Sequence, residues 1–178
     1  MPILDFFRKT PKGPSVNVSV WVNQAAKDEA CIKMAQNDKA LTFVAWSKVT
    51  YQYFHEVFSK QEIPNKVVIA KDVLPSSMVE NNFIFLERHY DLDKEKKFLE
   101  SFNSKEVSVH VSLDDPLLSS FNIEPIKEML NKMGHKESEH IEHELINKSI
   151  EKAMKKIMHV GLTADSSNEL REWMQGMI

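Results

Sequence analysis

Between Val16 and Leu113 the apolar residues of this chain switch repeatedly between two periods. Val16, Val18, Val20 and Val22 alternate with polar residues, the period of a half-buried strand. Gln24 to Gln36 then reads as a helix, with Ala26, Ala30 and Met34 on one stripe. Leu41 to Trp46 is a second strand. Lys48 to Lys60 is a second helix, with Thr50, Phe54, Val57 and Phe58 on one face. Ile63-Pro64 breaks it, because proline disfavours helix in the residue before it. Lys66 to Ala70 is a third strand. Asn82 to Leu86 is a fourth, apolar throughout its centre, as in a strand covered on both faces. Asp91 to Phe102 has helical spacing, with Leu92, Glu95, Phe98, Leu99 and Phe102 on one side, and Val107 to Leu113 is a fifth strand. Such alternation predicts an α/β fold: an open, mostly parallel sheet of about five strands with helices on both faces.

After Leu113 the pattern becomes wholly helical. Asp115-Pro116 reads as a helix start, with a capping carboxylate and proline at the first helical position. Pro125 opens the next helix, striped by Ile126, Met129, Leu130 and Met133 and closed by Gly134. Glu144 to His159 follows with Ile146, Ile150, Ala153 and Ile157 inward, ended by Gly161. Ser166-Ser167-Asn168-Glu169 is a capping box for a last helix. The expected organisation is a flexible arm over residues 1–15, a domain over 16–160 with a helical extension, and an amphipathic helix over 161–178. Ile3, Phe6 and Phe7 of the arm are expected to dock on the domain.

Composition narrows the function classes. The chain has 178 residues and a net charge of −3, which gives no electrostatic attraction to nucleic acid or anionic membrane. The single cysteine, Cys31, excludes an internal disulfide framework and reads as a buried thiol. The basic residues of the N-terminus follow its short apolar start, the reverse of a signal peptide. No apolar run approaches the ~20 residues that span a bilayer. A cytoplasmic protein is expected.

Three segments, taken in order, carry a resemblance. Leu41 to Lys71 reads LTFVAWSKVTYQYFHEVFSKQEIPNKVVIAK, Ile84 to His89 reads IFLERH, and Val109 to Ile157 runs from VHVSLDDP to IEKAMKKI. Together they resemble the second nucleotide-binding domain of SecA, the ATPase motor of bacterial protein export. The resemblance implies a stand-alone, degenerate relative of that RecA-like, helicase C-terminal domain. In the family, this domain closes ATP against another that carries the phosphate-binding loop. No G-x-x-x-x-G-K-[ST] occurs in these 178 residues. The family's glycine-rich loop is replaced by DVLPSSMVEN, Asp72 to Asn81, without a glycine. The place of its arginine- and glycine-rich finger holds DLDKEKKFLESFNSKE, without an arginine. The resemblance thus implies the fold and argues against the chemistry.

The candidate sites are few. Ser47, Glu87 and Arg88 fall at strand ends, where parallel sheets bind ligands. Ser47 also reads as a helix N-cap, and Arg88 as half of a carboxylate bridge within the domain. His135, His140 and His143 could face one metal ion, but their setting fits a solvated helix entry, and no metal or other cofactor is expected. Asp114 and Asp115 are adjacent and so point apart, which disfavours an acid/base pair. Leu170, Trp173, Met174 and Met177 form an i, i+3, i+4, i+7 stripe suited to the chain's own domain, to another protein or to a second copy. The sequence therefore predicts a non-catalytic domain acting in protein–protein interaction, connected with protein export. One alternative is weak ATP binding completed by a partner domain, and another is a metal- or small-molecule-dependent enzyme.

Overall fold

Each period switch in the sequence becomes a change of element in the computed structural model. It describes residues 14–73, 82–102, 106–119, 123–141 and 144–160, and near the C-terminus residues 172, 174 and 175. The elements are β1 (Ser15–Trp21), α1 (Gln24–Asn37), β2 (Thr42–Ala45), α2 (Lys48–Lys60), β3 (Lys66–Ile69), β4 (Phe83–Phe85), α3 (Leu92–Leu99), β5 (Glu106–Ser112), α4 (Pro116–Ser119), α5 (Glu124–Lys132) and α6 (Glu144–Val160). The strands form one sheet in the order β1-β5-β4-β2-β3, and every strand pairing in it is parallel. The fold is an open α/β sheet of RecA-like kind, all parallel where the sequence suggested mostly parallel. The one antiparallel contact among the described residues is an isolated bridge between Val20 and Ile141.

Strand alternation sorts the core into two layers. Phe43, Ala45, Ile84 and Leu86 face α1 and α2, where they meet Cys31, Ala35, Phe54 and Phe58. Val44, Phe83, Phe85, Val107, Val109 and Val111 face the other way, onto Leu99, Phe102, Leu117, Leu130, Ile146, Ile150 and Met154. Strands covered on both faces must be apolar throughout, which is why β4 reads Phe-Ile-Phe.

The helix boundaries follow capping chemistry. The Asn23 side chain accepts from Ala26 N at the start of α1, Ser47 accepts from Thr50 N at the start of α2, and Asp91 accepts from Asp93 N and Lys94 N at the start of α3. Gly134, at φ 74°, follows α5 in the left-handed conformation expected of it.

Several expectations are corrected. α1 buries Lys27, Asp28, Cys31 and Ala35, and leaves Ala26, Ala30 and Met34 half-buried. The helix is turned by about one residue because an ion pair, not the alanines, decides its inward face. Asp115, expected at the start of α4, also engages residues before the helix. Its carboxylate turns back to Ser112 N and Lys27, and its backbone oxygen accepts from Leu118 N. On α5 only Leu130 is buried, while Met129 and Met133 are 47% and 72% exposed. Ile3, Phe6 and Phe7 of the arm, the segment 74–81, His143, and Leu170, Trp173 and Met177 of the last stripe lie outside the described residues. So do the side chains of Ala153 and Ile157.

Candidate functional site

The connections from β2 and β4 leave toward opposite faces of the sheet. β2 leads through α2, which packs in one layer, and β4 through α3, which packs in the other. The two strands are neighbours. The crevice outside their C-terminal ends is therefore a topological switch point, where open parallel sheets bind ligands.

Glu87 fills that crevice. It follows β4, is 3% exposed, and turns its carboxylate toward the end of β2. Oε1 accepts from Trp46 N at 2.9 Å and Ser47 N at 2.7 Å. Oε2 accepts from the Thr50 hydroxyl at 2.7 Å and lies 3.4 Å from the Ser47 hydroxyl. These donors sit at the start of α2, where the helix dipole favours negative charge. Burial nonetheless pushes the Glu87 pKa above the ordinary glutamate value, against the bonds from Thr50 and Ser47 and the nearby Lys27 charge.

Lys27 lies under the crevice, 2% exposed. Its ammonium donates to Leu86 O and to Asp115 Oδ1, each at 3.1 Å. Burial works against its charge, but Asp115 and Glu87 outweigh burial and hold its pKa above the ordinary lysine value. α1 thus ties the ends of β4 and β5 together. Asp28, the next residue, accepts from the Gln24 amide at 2.7 Å and stands near the Tyr53 phenol. Burial raises its pKa and contributes to a Tyr53 phenol pushed up to about 12.

Between the first turns of α1 and α2 a cavity of about 260 Å³ opens beside Glu87. Asp28, Glu87 and Asp115 supply its acids and Lys27 its cation, and Val49, Tyr53, Phe54 and Pro116 give it apolar walls.

Of the residues singled out in the sequence, Ser47 and Glu87 meet in this crevice. Arg88 points away from it and pairs with Glu95 through Nη2–Oε2 at 2.7 Å and Nε–Oε2 at 3.1 Å, the bridge within the domain that the sequence suggested. Asp114 and Asp115 do point apart, Asp114 toward Gln24 N and Lys127. His135 shares a hydrogen bond with Glu139 O, and His140 packs 5.6 Å from Trp21. Among the described residues no group of three or more His, Cys, Asp or Glu is placed to hold a metal. Met174 is helical and half-buried.

Sequence reasoning missed Lys27, Thr50 as a ligand of Glu87, and His110. Lys27 falls four residues before Cys31 and eight before Ala35, on the face of α1 that turns inward. That spacing was the available signal, hidden by the alanine stripe beside it. His110 is 3% exposed and stacks on Trp21, whose indole Nε1 donates to its Nδ1 at 3.0 Å. Burial, with Lys27 and His140, holds its pKa down to about 4.

Comparison with known proteins finds similarity over a short span. The chain is 47% identical over 47 residues to the protein translocase subunit SecA of Chlorobium phaeobacteroides, 26% of this chain and 5% of that protein. It contains a SecA-related region. The SecA of Chlorobaculum tepidum is 44% identical over 48 residues, and that of Phocaeicola vulgatus 47% over 47, covering 27% and 26% of this chain and 5% and 4% of those proteins. The match thus spans about a twentieth of the length of these relatives. No family model matches the sequence. No helix among the described residues is long and apolar enough to cross a membrane.

Proposed function

We propose that this chain is a non-catalytic, SecA-like domain that works by binding another protein, in connection with protein export in the cytoplasm. One observation carries the reading. The position where a parallel sheet of this kind receives a ligand's anionic group is occupied by the chain's own Glu87 carboxylate, held by two backbone N–H groups and a hydroxyl. A phosphate entering that place would meet a buried carboxylate. The cation that lines the crevice, Lys27, is already engaged with Asp115 and a carbonyl. The sequence supplies no phosphate-binding loop, and the SecA-related region supports the connection with export.

Nucleotide-dependent thermal shift tests the reading. Saturating ATP or ADP with magnesium is expected to leave the melting temperature unchanged, and purified protein is expected to release no phosphate from ATP. A saturable rise with nucleotide would favour the alternative of a weak nucleotide binder that needs a partner domain. Phosphate release above a buffer blank would overturn the non-catalytic reading. Co-purification of export components, lost when the chain is unfolded, would support the interaction.

A further inference from the structure

The cavity beside Glu87 is small, and its carboxylates give it the wrong charge for a nucleotide. Its volume of about 260 Å³ lies below the ~300–1,000 Å³ of pockets that hold drug-sized ligands. That is room for one long side chain. Three carboxylates line it against one ammonium, and that ammonium is bonded to Asp115 and Leu86 O. The anion-favouring start of α2 is already taken by Glu87. Asp28 accepts a bond from Gln24, and a carboxylate has about four lone-pair sites to offer. The rim is apolar and open, with Val49 68% and Tyr53 45% exposed.

We propose that this cavity receives one arginine or lysine side chain of a partner protein, with the charged head beside Asp28 and the stem against Val49, Tyr53 and Pro116. The proposal rests on the protein-binding reading above and names the chemistry of the partner at that site. Charge complementarity chooses the occupant, because an entering cation faces an excess of carboxylate. Its positive charge also offsets the cost that burial places on the ionised forms of Asp28 and Glu87. A long side chain with an apolar stem and a cationic tip matches an apolar rim over an acidic floor, and arginine is a frequent anchor in interface pockets.

The test uses N-acetyl-arginine methylamide as probe, its uncharged citrulline counterpart as control, and ATP, each titrated into the full chain and followed by amide NMR shifts. The arginine probe is expected to give saturable shifts at Gln24, Asp28, Val49 and Thr50, and the citrulline compound to bind at least ~10-fold more weakly. Asp28→Asn is expected to weaken the probe by a similar factor. Val49→Arg changes an exposed position and should fold normally; it is expected to abolish binding by placing the chain's own guanidinium at the rim. Absent shifts, equal shifts with citrulline, or a Val49→Arg variant that binds unchanged would overturn the proposal while leaving the non-nucleotide reading intact. Shifts of the same amides by ATP would overturn that reading instead. A dimer in sedimentation that Val49→Arg dissolves would make a second copy the occupant and overturn the foreign partner.

Discussion

Glu87 is the residue on which the switch crevice depends. Replacing it by alanine strips the acceptor from Trp46 N, Ser47 N and the Thr50 hydroxyl at once. Each orphaned buried donor costs about 1–3 kcal/mol, so Glu87→Ala is expected to lose roughly 3–5 kcal/mol in urea unfolding. Glu87→Gln keeps one carbonyl oxygen for the two backbone donors and is expected to lose less. His110 makes a second residue-scale prediction. Its folded pKa, about 4, lies below the ordinary value of 6.5. The unfolded chain therefore binds more protons between those limits, and His110's contribution to stability falls as pH drops from about 6.5 toward 4. Asp28 and Glu87, whose pKa values are raised, act in the opposite sense in acid. The difference in unfolding free energy between wild type and His110→Leu isolates the histidine. Wild type is expected to lose ground to the variant across that window, by up to ~3 kcal/mol.

At the scale of elements, Lys27 and Asp115 lock α1 to the end of β5, with side chains 3% and 10% exposed. Lys27→Met leaves a buried carboxylate without its cation, a loss of about 3–5 kcal/mol. Adding Asp115→Asn to that variant is expected to recover part of it, because the remaining group is neutral and still accepts from Ser112 N. Guanidinium unfolding of the two single variants and the double variant measures the coupling. The end of α5 offers a simpler case. A Cβ added to Gly134 meets nothing within 4 Å, so only the left-handed backbone opposes a side chain there. Gly134→Ala is expected to cost about 1 kcal/mol, seen as a small fall in melting temperature.

Across the whole molecule, the sheet carries two apolar layers that share its strands. Phe54 reports on the α1–α2 layer and Phe85 on the layer of α3 and the later helices, and both are fully buried. Truncating either to alanine is expected to cost about 3–5 kcal/mol. Because β2 and β4 contribute to both layers, either substitution should shift one common transition in far-ultraviolet circular dichroism and tryptophan fluorescence. Two separated transitions would mean that the layers unfold independently.

The alternation of Val16 to Val22, the run Asn82 to Leu86 with its apolar centre, and Ser47 as a helix N-cap were enough to order the strands and helices, because period and capping are local properties of the chain. The resemblance carried by Leu41–Lys71 and Ile84–His89 also placed Ser47 and Glu87 near strand ends. What the local pattern could not supply was direction. The inward face of α1 was decided by Lys27 meeting Asp115, residues 88 positions apart. The same holds for Asp115, whose carboxylate reaches back to Lys27, and for His110, buried by its stacking on Trp21. An amphipathic stripe records how much apolar surface a helix can bury, whereas a buried charge goes where its counter-charge is, and only the folded sheet sets that position.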